Sequence, residues 1–135
     1  MIGIVLVTHG NLAREFLSAL EHVVGPQQGV ATVCIGPEDD MERRRAEILD
    51  SARSCDTGDG VIVLTDMFGG TPSNISLSFL SEHHVEVVTG VNLPMLIKLA
   101  TLSESKSLED LAAFIKQYGQ RNISVASELL PDRDR

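Results

Sequence analysis

The sequence predicts an α/β domain with a doubly wound, mainly parallel sheet of strand order 2-1-3-4 and helices on both faces. Three observations carry that prediction. The runs Ile2 to Val7 and Val61 to Thr65 are apolar almost without interruption and rich in β-branched residues, as strands buried on both faces are. A helical pattern follows each of them within a few residues, and Val30 to Ile35 and Val85 to Thr89 repeat the alternation. The connections are short, which suits βαβ units wound onto one sheet. In that strand order, strands one and three are neighbours whose helices leave on opposite faces. A crevice therefore opens at their carboxyl ends.

The first strand ends in Thr8-His9-Gly10, and a helix from about Asn11 to Val24 follows. Leu12, Phe16, Leu20 and Val23 fall at helical spacing, with Ala19 and Val24 widening the stripe. Gly25-Pro26 ends it. After the second strand, Gly36-Pro37 breaks the chain and Asp39 or Asp40 caps a helix to about Ser54. That helix is expected to turn Met41, Ile48, Leu49 and Ala52 inward. Its Glu42, Arg43, Arg44, Arg45 and Glu47 read as a solvated face with local ion pairs rather than an anion site.

The turn cluster Asp56 to Gly60 leads into the third strand, which runs on into Asp66. Thr71-Pro72 then opens a helix, with a hydroxyl N-cap and proline at the first helical position, continuing through Ile75, Leu77, Phe79 and Leu80. The fourth strand leads into Gly90 to Pro94 and a short helix to about Leu102. Ser107 with Asp110 resembles a capping box and opens the last helix, which Gly119 closes. Asn122 to Ser127 alternates apolar and polar residues, as an edge or antiparallel strand does. Pro131 to Arg135 reads as a frayed tail.

At 135 residues, the chain is one domain with room for a core. A net charge of -8 argues against nucleic acid and anionic membrane surfaces as partners. No apolar run is long enough to span a membrane and no leader pattern is present, so the cytoplasm is the expected compartment. Cys34 and Cys55 lack zinc or C-x-x-C spacing and read as buried reduced thiols.

His9 and Asp66 end neighbouring strands, so the topology brings them together across the crevice. A carboxylate that accepts the proton of one ring nitrogen fixes the tautomer and leaves the other nitrogen free as a nucleophile or base. Gly10 precedes one helix and Gly69-Gly70-Thr71-Pro72 another, and both helix starts aim N–H groups at the crevice. Thr71 can add a hydroxyl donor. Nucleophile, aligning carboxylate and oxyanion cradle are what a phosphohistidine site needs, with in-line transfer driven by positioning and charge stabilisation. On spacing alone, a structural histidine and a loop-capping aspartate fit the same positions. His22, His83 and His84 read as surface or loop residues. Neither a dinucleotide nor a P-loop motif occurs.

Val7-Thr8-His9-Gly10, Thr65 to Asn74 and Thr89-Gly90-Val91-Asn92-Leu93-Pro94-Met95 resemble the three signatures of the IIA domain of the mannose-type sugar phosphotransferase system. The likeness covers Met1 to about Ser127 and implies a domain over 1–128 with a disordered tail over 129–135. It implies that His9 accepts a phosphoryl group from the histidine-containing phosphocarrier protein and passes it to a IIB partner, without metal or cofactor. Asp66 would orient the imidazole, and Thr8, Gly10, Gly70 and Thr71 would hold the phosphoryl oxygens. Met67 and Phe68, with the loop of Asn92, Leu93 and Pro94, would line the docking surface. The family's homodimers exchange a C-terminal antiparallel edge strand, for which Asn122 to Ser127 is the candidate here.

Some relatives continue through a linker into a IIB domain, whereas this sequence stops at Arg135. The resemblance then implies a separate acceptor, or a regulator whose phosphorylated state a target protein reads. A related IIA-like subunit serves dihydroxyacetone kinase, but Gly69 to Pro72 fits the mannose type better. A flavodoxin-like domain that binds a small molecule in the same crevice is the remaining alternative.

Overall fold

The computed structural model describes residues 1–78 and 84–130. Its elements are β1 (Gly3–His9), α1 (Leu12–Val24), β2 (Val30–Ile35), α2 (Met41–Cys55), β3 (Val61–Thr65), α3 (Thr71–Leu77), β4 (Val85–Thr89), α4 (Leu93–Thr101), α5 (Leu108–Arg121) and α6 (Ala126–Leu129). The four strands form one parallel sheet of order β2-β1-β3-β4, the predicted order. Register positions the site. The β1–β3 ladder ends at Val7 opposite Thr65, so His9 and Asp66 stand just beyond it on the same edge.

Each face of the sheet carries its own core. Ile4, Leu6, Ile62 and Leu64 pack on Ala13 and Leu20 of α1, Met95 and Leu96 of α4 and Ile115 of α5. Val5, Val7, Val61 and Val63 alternate to the opposite face and meet Ile48, Ala52 and Cys55 of α2, with Ile75 of α3 beside them. Burying one such Leu, Ile or Val side chain is worth about 1.5–3 kcal/mol, which explains why β1 and β3 carry almost nothing polar before their ends.

The structure differs from the sequence reading at several points. The buried stripe of α1 is Ala13, Phe16, Leu17, Leu20 and Val24, whereas Leu12 and Val23 are exposed. The helix turns that stripe to the sheet because β1 hands over through Thr8, whose hydroxyl accepts the Ala13 N–H and anchors Ala13 inward. Met41 is also exposed, since the first turn of α2 lies beyond the end of the sheet. Gly70 is the N-cap of α3, so Thr71 and Pro72 sit one position later than predicted.

Gly119 does not close the last helix. It lies inside α5, where a Cβ would come within 2.5 Å of the Met95 sulfur, so it is there for close helix packing. Asn122 to Ser127 is not a strand in the single chain. Residues 123–125 are irregular, and Ala126–Leu129 forms one helical turn with no buried residue. A strand needs a neighbouring backbone to supply its ladder, and neither edge strand of the described sheet, β2 or β4, pairs with this segment.

Arg44 pairs with Asp39 and Glu47, in keeping with local ion pairing on α2. Both cysteines are free thiols, Cys55 buried and Cys34 half-buried. Phe79, Leu80, His83 and Pro131 to Arg135 lie outside the described residues. Among those described, no helix is long and apolar enough to cross a membrane.

Candidate active site

His9 is the last residue of β1, and its side chain is 48% exposed. Asp66, the residue after β3, is largely buried beside it. Asp66 Oδ2 lies 2.9 Å from His9 Nδ1 and also accepts the His9 backbone N–H at 3.1 Å. Its other oxygen accepts the Met67 N–H at 3.0 Å. One carboxylate thus holds both the ring and the backbone of the histidine, and a loop N–H holds the carboxylate.

Burial pushes the Asp66 carboxyl up, but the hydrogen bonds from the His9 ring and His9 N–H outweigh it, helped by electrostatic attraction toward the imidazole and a backbone hydrogen bond at Asp66. The carboxyl stays below its ordinary value of 3.8. An ionised Asp66 can only accept, so Nδ1 carries the proton and the Nε2 lone pair is left free.

The loop after Asp66 is built around the ring. A Cβ on Gly70 would stand 2.6 Å from His9 Cε1 and 2.9 Å from Nε2, so only glycine lets the backbone come so close to the free nitrogen. Gly69 has φ of +91°, a conformation that favours glycine, and its N–H donates to Ser73 Oγ at 3.0 Å. Ser73 is fully buried and pins the Gly-Gly turn to the helix it precedes. Sequence reasoning missed this role, although a serine in the first turn after Gly-Gly-Thr-Pro is a signal for such a back-bond. Thr71 makes no cap hydrogen bond and is exposed at the start of α3.

The other predicted residues divide. Thr8 is fully buried and its hydroxyl is engaged with the Ala13 N–H at 2.6 Å, so it caps α1 instead of facing the crevice. The Gly10 N–H donates to the Ile35 carbonyl, extending the β1–β2 ladder, which leaves the Gly10 amide itself no proton for a bound anion. Met67 and Phe68 project into solvent from the Asp66 loop, 53% and 70% exposed. Asn92 caps α4 by accepting the Met95 N–H, and its amide donates to the Gly119 carbonyl. Leu93 and Pro94 are half-buried in the first turn of α4, beyond β4 and so two strands from β1. No described group of three or more His, Cys, Asp or Glu is placed to hold a metal.

Residues 3–116 match the EIIA-man family model, described as the PTS system fructose IIA component. The chain belongs to this family. Among EIIA-man relatives, the mannose-specific EIIAB component of Escherichia coli K12 is 32% identical over 126 residues, spanning 92% of this chain. The chain spans only 39% of that protein's length. The fructose-specific EIIA component of Bacillus subtilis is 27% identical over 131 residues, covering 96% of this chain and 90% of its own. The fold also matches the mannose/sorbose-specific IIA subunit of Enterococcus faecalis, with a TM-score of 0.85 and 29% identity over 98% of both chains.

Proposed function

We propose that this EIIA-man chain is a cytoplasmic phosphocarrier of the sugar phosphotransferase system, with His9 Nε2 as the acceptor atom. The carrying observation is the 2.9 Å contact between His9 Nδ1 and Asp66 Oδ2, which leaves Nε2 as the nucleophile. The donor is the histidine-containing phosphocarrier protein. The Nε2 lone pair attacks phosphorus as the donor's N–P bond breaks, and the donor imidazole keeps that electron pair. His9 retains its Nδ1 proton, and Asp66 stabilises the charge that develops on the ring. Thr71 and the backbone around Gly70 receive the phosphoryl oxygens, and the same steps in reverse load a IIB acceptor. Met67, Phe68 and the Asn92 to Pro94 loop form the docking surface.

The same reading makes the chain a homodimer, with residues 122–127 pairing as an antiparallel strand on the partner's sheet. Support comes from the exposed Ile123 and Val125, and from the hollow between β4 and α5 that Ile123 lines with Val87, Met95, Ala112 and Lys116. The test of function is a phosphoryl chase. Labelled phosphoenolpyruvate, enzyme I and the phosphocarrier protein should give an acid-labile, base-stable label that leaves again when a IIB protein is added. A wild-type chain that takes no label from active partners would contradict the reading.

A further inference from the structure

We infer that Ser73 is a positioning residue for phosphoryl transfer at His9, acting through the Gly69-Gly70 turn that its hydroxyl holds. The inference rests on the phosphocarrier reading and adds to it a residue that does not itself touch the ring.

The loop from Met67 to Gly70 has little packing of its own to hold it. Met67 and Phe68 are exposed, and Gly69 and Gly70 have no side chain to bury. Its place therefore depends on polar ties. At one end the Met67 N–H donates to Asp66, and at the other the Gly70 carbonyl accepts the Asn74 N–H as α3 begins. Between them, the Gly69 N–H donates to Ser73 Oγ at 3.0 Å. That bond joins the turn to a side chain anchored in the protein interior.

Other fully buried hydroxyls are spent differently. Thr8 caps α1 by accepting the Ala13 N–H, and Ser76 donates to the Pro72 carbonyl inside α3. Both serve a helix. Ser73 instead reaches out of α3 to the loop that lies against the reactive ring. Because Ile75 packs α3 onto the second core, the Ser73 oxygen is a fixed point from which the turn is hung.

The consequence falls on Nε2. Asp66 holds the ring only through Nδ1, which leaves the opposite edge free to tilt about that contact. Gly70 removes that freedom, because its backbone lies so close that a Cβ would stand 2.6 Å from Cε1 and 2.9 Å from Nε2. Transfer needs the Nε2 lone pair in line with phosphorus and with the donor nitrogen, which leaves with its electron pair. A misplacement of about 1 Å can cost 10²-fold in such a step. Ser73 holds the turn, and the turn holds the line of attack.

The test is single-turnover labelling of wild type, Ser73→Ala and Ser76→Ala with two donors, the phosphorylated phosphocarrier protein and phosphoramidate. Ser76→Ala removes an equally buried hydroxyl from the same helix without touching the loop. Ser73→Ala should lose about tenfold or more in the maximal rate with both donors, while the half-saturating concentration of the protein donor stays the same. Ser76→Ala should label at the wild-type rate with either donor. A wild-type maximal rate in Ser73→Ala would overturn the inference. So would a loss confined to half-saturation, or an equal loss in Ser76→Ala, which would make the effect one of general stability. A wild type labelled by neither donor would overturn the phosphocarrier reading beneath it.

Discussion

A half-exposed imidazole becomes a directed nucleophile only if one nitrogen is committed, and at His9 that commitment is a single carboxylate. Asp66→Asn should leave the fold intact and slow phosphoryl acceptance by about 10²-fold or more, measured as single-turnover labelling, because an amide cannot balance the developing ring charge. The pH effect of Asp66 has a fixed sign. Its folded pKa is depressed, so its stabilising contribution is full above 3.8 and is lost as pH falls through the lower folded value. Urea unfolding at pH 7, 5 and 3 should therefore show a smaller acid loss for Asp66→Asn than for wild type.

At Gly70 the same contact geometry gives a different prediction. Gly70→Ala should cut labelling sharply with little loss of melting temperature, because its methyl group meets the exposed ring and not the core. Thr65 offers the reverse case. It is fully buried, and its hydroxyl has no hydrogen-bond partner among the described residues. Thr65→Val should raise stability by about 1 kcal/mol in denaturant unfolding, since a buried unpaired hydroxyl costs that much or more.

At the level of elements, some features were legible because burial leaves little choice. Val5, Val7, Val61 and Val63 could only be central strands, and strand order then forced His9 and Asp66 onto one edge. Thr8 was misplaced because side chains alternate along a strand. With Val7 and His9 on one face, Thr8 belongs to the other, under α1. Thr8→Val should accordingly cost about 1 kcal/mol through loss of the α1 cap, seen as a lower melting temperature. Gly119 was misread because a helix-ending glycine and a packing glycine look alike until the neighbouring helix is known, and Met95 is that neighbour. Leu12 and Met41 satisfied the helical period yet lie beyond the sheet, where periodicity carries no information about what covers them.

At the scale of the whole molecule, most of the exposed large apolar side chains among the described residues lie on the rim around His9 and in the segment from Ile123 to Leu130. The C-terminal segment alternates apolar and polar residues in sequence, yet the single chain holds it as an irregular stretch and one helical turn, because no strand of the described sheet pairs with it. Ending the chain at Arg121 should convert the proposed dimer into a folded monomer, read by sedimentation. A full-length chain that sediments as a monomer would remove the strand exchange. The central claim is narrower and concerns one atom. Its most direct test is to load the ¹⁵N-histidine-labelled chain and its His9→Ala variant from the phosphorylated phosphocarrier protein, then record ³¹P–¹⁵N couplings. The account predicts one phosphoryl group, on His9 Nε2, and none on the variant. A phosphoryl group on Nδ1, or one retained by His9→Ala, would contradict it.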